Sequence, residues 1–171
     1  MKKSVLYFCV LALLGASAAA TLQFCVKPPN YPKEPVIGFL SLSKNVMRQT
    51  PLGQDTLIVT FSFTDGDGDI GFVDAGEGIF VRDGRDTFSK PPLSIPYIEQ
   101  QGAGNGISGE ISIVLPTTCC TYTDPVTGIK RACADVPITV DSLSYKIRIK
   151  DRAGNFSNEI TTPMITLICK Q

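Results

Sequence analysis

Residues 56–71 read TLIVTFSFTDGDGDIG, an alternating run followed at once by aspartates at every second position. Leu57, Val59, Phe61 and Phe63 fall on one face and Thr60, Ser62 and Thr64 on the other, the period of a β-strand with one side buried. Ile107 to Leu115 repeats the pattern, with Ile107, Ile111, Ile113 and Leu115 opposed to Ser108, Glu110 and Ser112. So does Ser142 to Lys150, where Leu143, Tyr145, Ile147 and Ile149 point inward and Ser144, Lys146, Arg148 and Lys150 outward. Further strands are expected over Val36 to Ser43, Ile79 to Arg82, Ile95 to Glu99 and Ile160 to Cys169, the last with an edge or bulge at Pro163. Turn signals separate these runs, GAGNG at 102–106 and Ala153-Gly154-Asn155 among them, and no window after the N-terminal segment carries a helical stripe. The chain reads as all-β, a β-sandwich of about seven antiparallel strands over residues 36–171.

One pattern narrows the architecture. Asp141-x-Leu143-x-Tyr145-x-Ile147 resembles the sixth-strand signature of immunoglobulin-like domains. That resemblance implies a tyrosine corner, in which the Tyr145 hydroxyl bonds back to nearby backbone; an ordinary strand aromatic with its hydroxyl at the rim is the alternative. Ile147 stands where antibody-type domains carry their second bridging cysteine, and the chain has no Trp, so the likeness is to the immunoglobulin-like β-sandwich alone.

The acidic turn is the candidate site. Asp65, Asp67 and Asp69, spaced by glycines, can direct several carboxylates at one centre, which suits the oxygen-rich shell of Ca²⁺. An EF-hand is rejected, because Ile70 and Gly76 occupy the places of its glycine and its last glutamate. A second turn, Asp151-Arg152-Ala153-Gly154-Asn155, ends the Tyr145 strand. In an immunoglobulin-like sandwich the two turns emerge at the same end, so Asp151 and Asn155 are expected to complete a site begun by the three aspartates. The alternative is a pair of plain Asp-Gly turns with no ion.

The chain has 171 residues with 16 basic and 16 acidic side chains and no His. Serine and cysteine nucleophile systems of the usual kind and His-ligated metals are thereby excluded, and the balanced charge disfavours a nucleic-acid partner. Met1-Lys2-Lys3, the apolar run Val5 to Leu14 and the small residues Gly15 to Ala20 form an export signal over residues 1–24. Leu22-Gln23-Phe24-Cys25 places a cysteine after that signal, with Leu three residues before it but Phe24 where a small residue is usual. Acylation of Cys25 and cleavage after Ala20 are the two outcomes. Acylation leaves Cys119, Cys120, Cys133 and Cys169 as an even set, whereas a fifth thiol is a liability in an oxidising compartment. Adjacent cysteines in a strand point to opposite faces, so the pairings left are Cys119 to Cys133 with Cys120 to Cys169, or the swap. Residues 25–35, rich in proline, read as a spacer.

The segments FSFTDGDGDIG (61–71), EQQGAGNGISGEI (99–111), TTCC (117–120), IKDRAGNFSN (149–158) and ITLIC (165–169), with the Pro-rich arm after Cys25, resemble a group of uncharacterised envelope proteins of the Bacteroidota, often predicted lipoproteins. That resemblance implies an exported sandwich anchored at Cys25, in the outer membrane or free in the periplasm, and implies no activity. The function expected is a non-catalytic envelope module, stiffened by calcium and binding a protein or glycan partner. Two alternatives stand beside it: a hydrolase using carboxylates of the Asp65 to Asp74 region, and a carbohydrate-binding module presenting Tyr31, Tyr97 or Tyr122.

Overall fold

The computed structural model describes residues 30–50, 52–74, 77–86, 90–100, 106–133 and 136–169. The expected export signal, Cys25, the start of the spacer and turn residues 102–105 lie outside them. The described residues form twelve strands and no helix, arranged in several small, mostly antiparallel sheets.

β3 (Thr56–Asp65) is the central strand of the first sheet. It pairs on one side with β6 (Ile107–Pro116), from Thr56 opposite Pro116 to Asp65 opposite Ile107, and on the other with β1 (Val36–Leu42), which bulges between Phe39 and Ser41. The alternating run behaves as its sequence requires: Leu57, Val59, Phe61 and Phe63 are buried, and Thr60, Ser62 and Thr64 are not. A second sheet runs β11 (Ile160–Thr161), β10 (Tyr145–Ile149), β4 (Gly78–Asp83), β5 (Leu93–Ser94). A third holds β2 (Val46–Arg48), β12 (Ile165–Ile168) and β9 (Val140–Leu143), with β2 parallel to β12. The inward residues of β3, β4, β10 and β12 join one buried apolar cluster that includes Phe61, Val81, Ile147 and Leu167.

Several sequence expectations need correction. Ser142 to Lys150 is not one strand but two, β9 and β10, because the Ser144 carbonyl turns away to accept the Gly84 amide at 2.8 Å. Ile160 to Cys169 also divides, at Pro163, into β11 and β12. Across that double break Thr162 acts as a stitch: its amide donates to the Tyr145 carbonyl and its hydroxyl accepts the Tyr145 amide, both at 2.9 Å. The strand expected over Ile95 to Glu99 lies earlier and is shorter, at β5. Pro96, which has no N–H to donate, makes only an isolated bridge to Phe72. Ile107 and Ile111 are only partly buried, packed at the margin of the core. Strand β2 and the hairpin β7 (Thr121–Thr123) and β8 (Lys130–Ala132) add to the expected set.

The tyrosine corner is also corrected. Tyr145 is fully buried, but its hydroxyl has no hydrogen-bond partner among the described residues. Burial, with the neighbouring Asp83 charge, pushes its phenol up to about 12, so the group stays neutral. Close by, Arg85 makes a two-pronged contact with Asp83, through Nε at 3.0 Å and Nη2 at 2.6 Å, and reaches Asp141 and the Cys119 carbonyl. Burial alone would raise Asp83, but the Arg85 bonds and charge outweigh it and hold the carboxyl below its usual value.

Two disulfides close the structure, Cys119 to Cys133 and Cys120 to Cys169. The first staples the base of the β7–β8 hairpin, a two-stranded element too small to be stable alone. The second ties the terminal strand into the core, where Cys120 is fully buried. Paired cysteines fit an oxidising, extracytoplasmic location.

Candidate metal centre

The acidic turn begins on the last residue of β3. Asp65 ends the strand on its buried face, so its carboxylate is carried inward by the same alternation that buries Phe61 and Phe63. The chain then reverses: Gly68 has φ 70°, a left-handed conformation that glycine adopts without strain, and the Asp69 amide returns to Asp65 Oδ2 at 2.8 Å. This local bond folds the turn over Asp65 and buries Asp69 as well, to 8% exposure.

Asp151 arrives from the other side of the sequence. It follows β10, is fully buried, and is gripped by its own turn: the Asn155 amide donates to Oδ1 at 2.7 Å and the Asn155 side chain to Oδ2 at 2.8 Å. The two turns are bonded to each other, since the Ala153 amide donates to Asp69 Oδ2 at 2.9 Å and the Arg152 amide to the Asp69 carbonyl at 3.1 Å. One carboxylate oxygen from each of Asp65, Asp69 and Asp151 lies within 4.8 Å of the other two. The juxtaposition expected of the two turns is therefore present.

The electrostatics of this cluster are unbalanced. Asp65 Oδ1 and Asp69 Oδ1 are buried without a hydrogen-bond partner among the described residues, as is Asp67 Oδ1 beside them. No Lys or Arg among the described residues forms an ion pair with any of the three clustered carboxylates. Burial pushes the Asp65 carboxyl up to about 6, with the charges of Asp67, Asp69 and Asp151 adding to the effect. Asp69 is raised for the same reasons, burial first and then Asp151 and Asp67. Buried, unpaired carboxylates of like charge are costly at neutral pH unless they protonate or share a cation. A hard cation such as Ca²⁺, with oxygens at about 2.3–2.6 Å on either side of it, spans a separation of this size.

Of the five residues expected at the site, Asp65, Asp69 and Asp151 converge. Asp67 is half-buried and stands outside that trio, though its field reaches both Asp65 and Asp69. Asn155 sits behind Asp151 as its hydrogen-bond donor.

Arg152 is a participant that the sequence did not mark. Its Nη1 donates to the carbonyls of Ile70 and Gly71 at 2.9 Å and of Ile98 at 3.2 Å, while its guanidinium stacks 4.6 Å over the Tyr97 ring. It thus holds the outgoing limb of the acidic turn through backbone oxygens, which any residue type offers and no motif reveals. Tyr97 is half exposed and engaged by this stack, and Tyr122 packs partly against the core. Comparison with protein-family models, curated proteins and solved structures finds no match to this chain.

Proposed function

We propose that the protein is an exported, non-catalytic binding or structural module of the cell envelope, built as an immunoglobulin-like sandwich whose tip is stiffened by Ca²⁺. The observation that carries the cation is the buried trio Asp65, Asp69 and Asp151, whose carboxylates approach within 4.8 Å of one another, with Asp65 Oδ1 and Asp69 Oδ1 unpartnered and no basic group ion-paired to the trio among the described residues. Asp65, Asp69 and Asp151 would hold the ion, with Asp67 Oδ1 at their side and Asn155 orienting Asp151. Bound there, calcium supplies positive charge at a junction between two turns. The chain's own residues do the rest: they exclude water from the carboxylates and lock the turns together through the Ala153 and Arg152 amides.

The strand pairing supports the sandwich reading. β1 belongs to the sheet of β3 and β6, whereas β2, three residues further on, joins β12 in parallel, so the first strand passes from one layer to the other. The third sheet continues the second, because β9 runs into β10 and β11 into β12 around the Thr162 stitch. In this reading β5–β4–β10–β11 and β9–β12–β2 make one layer facing β1–β3–β6. The resemblance to Bacteroidota envelope proteins and an acyl anchor on Cys25 complete the proposal, with a protein or glycan of the envelope as partner.

Scanning calorimetry of the mature protein in millimolar calcium and in chelator tests the cation. The wild type should melt higher in calcium by several degrees, and Asp69→Asn should lose that response. Equal melting temperatures in both conditions would overturn the site. Mass spectrometry of the mature N-terminus tests the anchor, an unmodified Thr21 start counting against it.

A further inference from the structure

We propose that cation binding at the acidic turn latches the segment Asn30 to Pro35 onto the domain, so that the ion sets whether the chain leading into β1 is docked or free. This rests on the cation reading above and extends it to a regulated element. The turn that carries Asp65 and Asp69 is also the floor on which the arm lies. The Gly66 amide donates to the Pro32 carbonyl at 2.7 Å. A Cβ on Gly66 would stand 2.5 Å from that same oxygen and would also collide with the Tyr31 carbonyl. Gly66 has no left-handed φ to require glycine, so it is the arm's backbone that leaves no room for a side chain there.

Gly106 makes the second half of the seat. A Cβ there would lie 2.8 Å from Cδ2 of Tyr31 and 2.7 Å from the Asp65 carbonyl oxygen, so the tyrosine ring, Gly106 and the Asp65–Gly66 corner are packed in direct succession. Pro35 is buried, and the next residue, Val36, opens the β1–β3 ladder opposite Thr64, one residue before Asp65. Lys33 and Glu34, between these fixed points, are exposed.

The coupling follows from geometry. Asp65 and Gly66 are adjacent, so a movement that separates the buried carboxylates from one another displaces the amide and the surface that hold Pro32 and Tyr31. With calcium the carboxylates are drawn together and the seat is held. Without it their mutual repulsion is relieved by opening the turn, which removes the arm's one backbone hydrogen bond to Gly66 and its packing on Gly106. The arm is the part of the domain nearest to whatever precedes Asn30, so docking shortens and stiffens the connection and release lengthens it.

Limited proteolysis of the mature protein with a lysine-specific protease that needs no calcium tests this, with cleavage after Lys33 followed by intact mass. Lys130, on the exposed β8 strand of the stapled hairpin, is the internal reference. Calcium should slow cleavage at Lys33 by about tenfold or more relative to chelator and leave Lys130 unchanged. In saturating calcium, Tyr31→Ala should restore rapid cleavage at Lys33 and weaken calcium binding by titration calorimetry by about the same tenfold, because the coupling between arm and ion is reciprocal. Gly66→Ala, whose methyl meets the arm carbonyls, should release Lys33 in either condition. Calcium binding by calorimetry with no change at Lys33 would overturn the latch and leave the cation site standing. No calcium binding would overturn both.

Discussion

Asn155 holds Asp151 from two directions, its backbone amide on Oδ1 and its side-chain amide on Oδ2, so that both oxygens of a fully buried carboxylate are fixed before any cation arrives. Such a neighbour orients a ligand. Asn155→Ala should therefore weaken calcium binding by about 10- to 100-fold, read by titration calorimetry. In chelator the same change should cost about 1–3 kcal/mol in urea unfolding, since it strips a hydrogen bond from a buried charge.

The acidic turn gives stability an unusual dependence on pH. Asp65 is raised to about 6 in the folded protein from an ordinary 3.8, so the folded state binds its proton more tightly than the unfolded state. That contribution is complete below the unfolded value and disappears as pH rises through about 6. Asp83 has the opposite sign: held low by Arg85, it stabilises above its unfolded value and is lost as pH falls. In chelator the melting temperature should thus pass through a maximum between these limits and decline towards neutrality. In calcium the decline through pH 6 should vanish, because the deprotonated site is then the occupied one. Melting curves across the range in both buffers measure this.

Tyr145→Phe separates a buried aromatic from a tyrosine corner. A hydroxyl that bonded back to backbone would make the change destabilising. Here the hydroxyl is buried and unpartnered among the described residues, so removing it should be neutral or stabilising, within about 1 kcal/mol by urea titration.

Arg85 meets Asp83 and Asp141 together, and Asp83 is only 5% exposed. Arg85→Ala leaves that carboxylate buried without its partner and should destabilise by about 3–5 kcal/mol, whereas a surface pair such as Arg82 with Glu159 should be worth under about 1 kcal/mol. Urea titrations of both variants make the comparison.

The two disulfides should be unequal. Cys120 to Cys169 spans 49 residues and lies in the core; its loop entropy is worth about 4 kcal/mol in the chain model. Cys119 to Cys133 spans 14 and is worth about 3 kcal/mol on the same model, much of it confined to the β7–β8 hairpin. Replacing the first pair by alanine should lower the global melting temperature more, and replacing the second should chiefly speed hydrogen exchange in residues 121–132.

What the sequence made legible is what depends on period and local turn chemistry. Phe61 and Ile147 announced their faces through alternation alone, and Asp65, Asp69 and Asp151 announced a site because carboxylates cluster in two turns. The break at Ser144 was hidden, since it is made by Gly84 arriving from another strand. β2, at three residues, is too short to display a period, and β8 has all three residues exposed, so neither has a pattern to find. Arg152 escaped notice because it works through backbone carbonyls. The position of Tyr145 was legible but not the company of its hydroxyl, which is decided by the packing around Asp83 and Arg85.

The neighbouring Cys119 and Cys120 bear on how the chain matures. Under the export proposed above, Cys133 emerges before Cys169 and meets the thiols of Cys119 and Cys120 side by side. Only Cys119 is its native partner; capture by Cys120 would strand the final strand's thiol on the wrong sulfur. Vectorial emergence therefore favours early closure of the hairpin and leaves its correction to thiol exchange, which can be completed only when residue 169 has arrived and claimed Cys120.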